Sequence, residues 1–365
     1  MYKKYIGINE ALVDLCKELL ENSIPRTLQG FQSSTSSICN ELPEPLTIEI
    51  QHPECRAILI PDRKWYPYLA ISESLWLLLG FNNLDSLTGR YSSSKSIYRF
   101  AKDGHHWDGG YGPRIKGYTG ISTLYRRGAD NEHEPTQLAN VEIDQLRYVV
   151  DLLIKEPTSR QAIINIDDTS KDTFDGNIDY PCTRFLHFMV VDGELNCYVH
   201  MRSNDLLRGF SAINIFNFTF MQKYISMLTN IPVGKYFHIA DNFHFYESDR
   251  EMITKIANTE NPIQYDNIQL NSDDDYSLTH GDQDYDVFIH QINDLYKAVT
   301  DLYVKKDATI LTELCDYYNL YSNNFLLDWM LALASHEKCY KPLIKEYTKY
   351  CNRSLILAIK NRLEV

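Results

Sequence analysis

Apolar residues recur at helical spacing from Asn9 to Glu21, where Leu12, Leu15, Cys16, Leu19 and Leu20 share one face. The short apolar run Ala70–Leu79 stops at Gly80, a helix terminator. Glu142–Glu156 repeats the amphipathic pattern through Ile143, Leu146, Val149, Val150 and Leu153, and Pro157 ends it. The period then changes. Ala162–Ile166 reads as a short strand, and Thr183–Val191 with Glu194–Met201 reads as a hairpin about Asp192-Gly193. Leu195, Cys197, Val199 and Met201 alternate along its second arm. Asn214–Leu228 is almost wholly apolar, which predicts a helix buried on all sides. Tyr236–Ala240 is a further strand. Gln29–Ser37 and most of Tyr91–Tyr118 read as loop, and 257–284, with Asp273, Asp274 and Asp275, as an acidic linker or surface loop. Helical segments follow at Val287–Tyr303, Thr309–Tyr318, Phe325–Ser335 and Tyr340–Lys360. Strands interspersed with helices predict an α/β or α+β fold.

Composition narrows the function classes. The chain has 365 residues, 44% of them hydrophobic, with a net charge of -13. That charge excludes a broad basic nucleic-acid surface but not a local basic pocket. No apolar window is long enough to span a membrane, and the first residues lack the apolar core of a signal peptide. A cytoplasmic protein is expected. The eight cysteines are scattered without a CxxC, which argues against a disulfide scaffold or a metal site. The 26 tyrosines have no compositional explanation.

Three polar islands interrupt the apolar pattern. Tyr180-Pro181-Cys182-Thr183-Arg184 opens the hairpin. A free cysteine is most often a core residue, but one beside Arg184 and Arg202 is also placed to be a nucleophile. Met201-Arg202-Ser203-Asn204-Asp205 closes the hairpin with a guanidinium, a hydroxyl, an amide and a carboxylate. His244 and Tyr246 lie two apart on a presumed strand and share a face.

The order of these islands resembles the thymidylate synthase family, which includes the phage pyrimidine nucleotide hydroxymethylases. Glu73-Ser74-Leu75-Trp76 with Gly80 and Asn83, Gly110-Tyr111-Gly112, and Pro157-Thr158-Ser159-Arg160 fall upstream in the family's order. The resemblance covers about residues 10–250. It implies a mixed twisted sheet covered by helices over 1–256; the linker at 257–284 and the added helical C-terminus over 285–365 are read from the residues alone and match none of the family's motifs. It implies one-carbon transfer to carbon 5 of a pyrimidine nucleoside monophosphate, with methylenetetrahydrofolate as donor, in a homodimer that binds neither nucleic acid nor membrane. By the same resemblance Cys182 adds to carbon 6, Glu73 manages protons, Tyr111 helps remove the carbon-5 proton, and Asp205 holds the pterin and the architecture. Trp76 joins Asp205 at the folate. Arg202 and Ser203, with Arg160 from the partner subunit and Arg26, would bind phosphate. His244 and Tyr246 would bind the sugar.

The departures bear on substrate. Thr183 follows the nucleophile where thymidylate synthases usually carry His; the phage dCMP hydroxymethylases share Cys-Thr. The stretch Gly209–Ile215 is one residue longer than in the family, so either Asn214 or Ile213 takes the base-reading position. Asn214 is preferred, because Asn-Ile then leads into the apolar helix, and an amide that donates and accepts suits uracil. No acid occupies the position in either register. Gln161 replaces a second arginine, and no folate-closing C-terminal tail is recognisable. The leading expectation is a dUMP methyl- or hydroxymethyltransferase. A dCMP or CMP hydroxymethylase and a catalytically silent nucleotide-binding protein are the alternatives.

Overall fold

The computed structural model describes residues 1–28, 37–86, 95–127, 133–271, 284–320 and 324–364. Strands are numbered in chain order. The hairpin is the centre of the molecule: β8 (Thr183–Val191) and β9 (Glu194–Met201) pair antiparallel across Asp192-Gly193. Both turn residues have positive φ, 53° and 83°, the geometry that matches strand twist in a two-residue loop. Around this hairpin a six-stranded mixed sheet runs β1 (Tyr2–Tyr5), β4 (Leu46–Ile50), β11 (Val233–Ala240), β9, β8, β7 (Ile163–Asn165). A four-stranded sheet runs β10 (Asn204–Asp205), β12 (Phe243–Tyr246), β3 (Ser37–Glu41), β2 (Ile24–Leu28). The strands β5 (Tyr118–Arg127) and β6 (His133–Ile143) form a separate ribbon.

The alternation on β9 sorts residues between the sheet's two faces. Leu195, Cys197, Val199 and Met201 are buried. The opposite face carries Phe185, His187, Tyr198, His200 and Phe237, all partly exposed, with Tyr198 stacked on Phe237 at 4.7 Å.

The helices used below are α1 (Ile8–Asn22), α2 (Pro67–Leu79), α3 (Gln145–Lys155), α4 (Ile215–Thr229), α5 (Tyr285–Lys305), α6 (Asn324–Ala334) and α7 (Ser354–Leu363). Helix α2 has no polar stripe, and it is packed from several sides by α4, α5, α6 and the short helix Tyr111–Lys116. Gly80 ends it in the left-handed region at φ 76°. The C-terminal helices share the core of the rest. Trp329 on α6 lies 4.6 Å from Phe220 of α4, Phe288 stacks on Tyr224 at 4.0 Å, and Asn361 donates to the Leu59 carbonyl at 3.2 Å.

Several elements differ from the sequence reading. Residues 263–271, expected in a linker or surface loop, form a helix whose Asp266 is fully buried. Its carboxylate accepts from the backbone N–H groups of Asn9 (3.2 Å) and Glu10 (2.9 Å) and from the Asn9 amide (3.0 Å). It therefore satisfies donors that the start of α1 leaves open. Its sequence neighbours are polar because they face water; the capping partner is 257 positions away. The segment 340–360 is two helices, Lys341–Thr348 and α7, broken where Arg353 pairs with Asp328 at 2.7 Å. Within the expected loop Tyr91–Tyr118 lie a 3₁₀ turn, Lys95–Phe100, and the helix Tyr111–Lys116. Residues 29–36, 91–94 and 272–283 of the expected loops lie outside the described residues. No helix among the described residues is long and apolar enough to cross a membrane.

Candidate active site

Cys182 sits one residue before β8, on a loop that Arg202 latches from the end of β9. The Arg202 guanidinium donates to the carbonyls of Pro181 (3.0 Å) and Tyr180 (2.6 Å), and its backbone N–H donates to the Cys182 carbonyl (2.9 Å). Burial pushes the Cys182 thiol up, and the Arg202 charge opposes the shift. The resting side chain is therefore a thiol under restraint from a nearby cation.

Tyr111 connects this loop to α2. Its hydroxyl accepts the backbone N–H of Thr183 at 3.1 Å. Burial pushes the phenol up, and the neighbouring charges of Cys182 and Glu73 add to the shift. The following residue must be small: a Cβ on Gly112 would meet the Phe81 carbonyl at 2.3 Å and the Trp76 carbonyl at 2.6 Å. That close approach sets the Tyr111 ring against α2.

Glu73 points from α2 into the same space. Burial pushes its carboxyl up to about 8, opposed by the Asn217 amide 3.5 Å away. Asn217 comes from α4 and is held by the Ser74 hydroxyl at 2.7 Å. Glu73, Tyr111, Trp107, Ile213, Asn214 and Asn217 line one cavity of about 70 Å³.

The extra residue noted in the sequence falls in a π-helical stretch, Leu206–Asn214, that runs straight into α4. Such widened turns accommodate a single inserted residue without breaking the helix. Asn214 and Ile213 both line the cavity, so a polar edge and an apolar edge lie side by side there.

The second sheet brings a further group together. In register, Asp205 of β10 lies beside His244 of β12. The Asp205 carboxylate accepts the Arg208 backbone N–H; burial pushes it up, and Arg208 opposes that. Arg208 lies over the Tyr246 ring at 4.8 Å and pairs with Asp249 at 2.5 Å. His244 contacts Tyr246 edge-on at 5.5 Å, and burial holds its imidazole down to about 4, so it is neutral. Asn242 links His244 (2.7 Å) to Ser203 (3.3 Å).

Two of the named arginines stand apart from this cluster. Arg26 is exposed on β2 and pairs with Glu41 at 3.2 Å. Arg160 is exposed just before the edge strand β7. Trp76 lines the cavity but is itself buried, with its indole N–H donated to Ser86 at 2.7 Å.

The family model for thymidylate synthase matches residues 13–294. The chain belongs to the thymidylate synthase family. Curated relatives are deoxyuridylate hydroxymethyltransferases of phages. That of Bacillus phage SP01 is 28% identical over 206 residues, 56% of this chain and 50% of the relative. That of Delftia phage PhiW-14 is 25% identical over 221 residues, 58% of this chain and 54% of the relative. That of Pseudomonas phage M6 is 26% identical over 216 residues, 59% of this chain and 54% of the relative. The chain thus spans about half the length of the curated relatives it matches.

The thymidylate synthase match extends beyond residue 250, where the motifs end, and includes the first half of α5. Three residues at this thymidylate synthase-like centre, Asn217, Trp107 and Arg208, were not singled out from sequence, and Ser74 stood in its motif without a role. Asn217 and Ser74 meet across 143 positions. Trp107 lies in the expected loop, donates to Asp179 at 2.6 Å and faces Trp76 at 6.1 Å. Arg208 lies three residues beyond Asp205. The available signal was weak: Asn217 and Thr219 are polar residues in the mostly apolar first half of the helix.

Proposed function

We propose that this chain transfers a one-carbon unit to carbon 5 of deoxyuridylate by covalent catalysis through Cys182, giving a hydroxymethyl product. One observation carries the reading. Tyr111 bonds to the residue after Cys182 and lines the same cavity as Glu73 and Asn214, so one hydroxyl links the loop of the nucleophile to the space lined by the proton-handling group and the base-reading amide.

The physical steps follow from the groups. Carbon 5 of a pyrimidine is a weak nucleophile. Addition of the Cys182 sulfur to carbon 6 places enolate character on carbons 4 and 5, splitting one difficult step into two. Glu73, protonated below about pH 8, donates toward the ring oxygen as that charge develops. Tyr111, a neutral phenol, hydrogen-bonds the water that takes the carbon-5 proton and so helps its removal. Asn214 offers a donor and an acceptor to the uracil edge, and no carboxylate stands there to favour cytosine.

Arg202 and Ser203 bind the phosphate, with a fork geometry suited to its oxygens. Arg160 would reach the phosphate of a partner subunit in a homodimer. The partly exposed aromatic face around Tyr198 and Phe237 supports that dimer, because such a patch is costly to leave in water. Arg26 would join the phosphate only after leaving Glu41. Neutral His244 and Tyr246 hold the sugar. A folate would lie against the tilted Trp76–Trp107 pair, which offers an apolar wall; Asp205, which by the resemblance meets the pterin, is a buried carboxylate on the second sheet, outside that cavity. When bound, it supplies the carbon at the formaldehyde oxidation level.

Tritium release from carbon 5 of labelled dUMP, UMP, dCMP and CMP tests the reading. Release from dUMP, lost in Cys182→Ala, is expected. Release confined to cytosine nucleotides overturns the base assignment, and an active Cys182→Ala overturns the mechanism.

A further inference from the structure

We infer that Asn217, held by Ser74, is a positioning residue that seats a water against Glu73 and thereby directs the reaction to a hydroxymethyl product. This rests on the reading above. Asn214 and Asn217 lie three residues apart on one helical face, and both line the cavity into which Glu73 points. Ser74 has one hydroxyl proton. It lies closer to Asn217 Oδ1 (2.7 Å) than to the Ala70 carbonyl (3.1 Å). Donating to Asn217 fixes the amide oxygen toward Ser74 and leaves Nδ2 for Glu73 and the cavity.

The Asn217–Glu73 separation, 3.5 Å, is long for a direct bond. The two groups flank the cavity, where a third oxygen can satisfy both. About 70 Å³ is room for at least one water, and the amides and carboxyl give the two to four polar partners a buried water needs. Trp107, Ile213, Leu77 and Phe218 offer no acceptor in the side chain, and the Tyr111 hydroxyl already accepts the Thr183 N–H.

The chemistry balances without a reductant. Once carbon 5 carries an exocyclic methylene and carbon 6 the Cys182 sulfur, the water oxygen bonds to the methylene carbon. The ionised form of Glu73 takes the water's proton. The electron pair moves into the ring and restores the carbon 5–carbon 6 double bond as the carbon 6–sulfur bond breaks, releasing Cys182 as thiolate. A methyl product would instead need a hydride.

The test compares wild type, Asn217→Leu and Ser74→Ala with tritiated dUMP and methylenetetrahydrofolate. It follows tritium release alongside hydroxymethyl product by mass spectrometry. The product-to-tritium ratio is expected to fall by about tenfold or more, the scale of losing a hydrogen bond to a charged group. Added 2-mercaptoethanol is expected to appear as a thioether on the unquenched methylene. Asn217→Asp, which keeps a polar group toward the cavity, is expected to recover part of the ratio. Isotope-edited infrared titration of Glu73 in the free protein gives a second readout: loss of the amide is expected to move its carboxyl further up. An unchanged ratio in Asn217→Leu and Ser74→Ala, with normal tritium release, overturns this inference alone. Wild type without tritium release from any nucleotide overturns the functional reading and this inference together.

Discussion

At the residue scale the site is a set of ionisable groups held away from their ordinary states by burial. Cys182 is expected to alkylate slowly with iodoacetamide at pH 7, with the rate rising above pH 9 as thiolate appears. Arg202→Leu is expected to slow it further at every pH, because the opposing cation is gone. Glu73 makes an opposite statement about stability. Its folded value of about 8 exceeds its unfolded value of 4.5. The folded state thus retains a proton that the unfolded state has released, and this group's stabilising contribution is present below 4.5 and lost as pH rises through 8. Glu73→Gln is expected to be more stable than wild type at pH 9, on the order of 5 kcal/mol, with no difference near pH 4, measured by urea unfolding. The same variant should lose tritium release. Residues with a local motif, such as Cys182, Arg202, Asp205 and Glu73, were legible in the sequence because their neighbours travel with them. Asn217 was not, since its partners Glu73 and Ser74 lie on another helix.

At the element scale the hairpin, α2, α4 and the strand carrying His244 follow directly from period and turn chemistry. The π-helical stretch Leu206–Asn214 was legible only as a length mismatch, because an inserted residue leaves hydrophobic period intact while widening the turn. The Asp266 contact was not legible at all, since a cap supplied from another segment leaves no spacing signal near α1. Burial, with Glu10 adding repulsion, pushes Asp266 up to about 6 despite its hydrogen bonds. Its stabilising contribution is therefore fully present below its ordinary 3.8 and is lost as pH rises through 6. Asp266→Ala is expected to cost about 1–2 kcal/mol near pH 4 and to flatten the pH dependence of stability between 4 and 6, followed by chemical denaturation.

At the scale of the whole molecule one sheet face is covered by helices and the other is left with aromatic rings partly exposed. If that face joins two copies, Arg160 and Cys182 serve the same site from different chains. Mixing inactive Arg160→Ala with inactive Cys182→Ala under conditions that exchange subunits is then expected to restore part of the tritium release. No recovery would argue that Arg160 acts within its own chain or not at all.

The C-terminal helices lean on the back of α2, whose front carries Glu73. A lesion there would be felt at the chemistry. Trp329→Ala, about 3–5 kcal/mol by analogy with other buried aromatic truncations, would loosen the support behind α2 and α4 together. A genetic screen for lost turnover would thus collect hits near residue 329, far from any atom of the substrate. Temperature would separate the two kinds of hit: support lesions recover in the cold, and chemical ones do not.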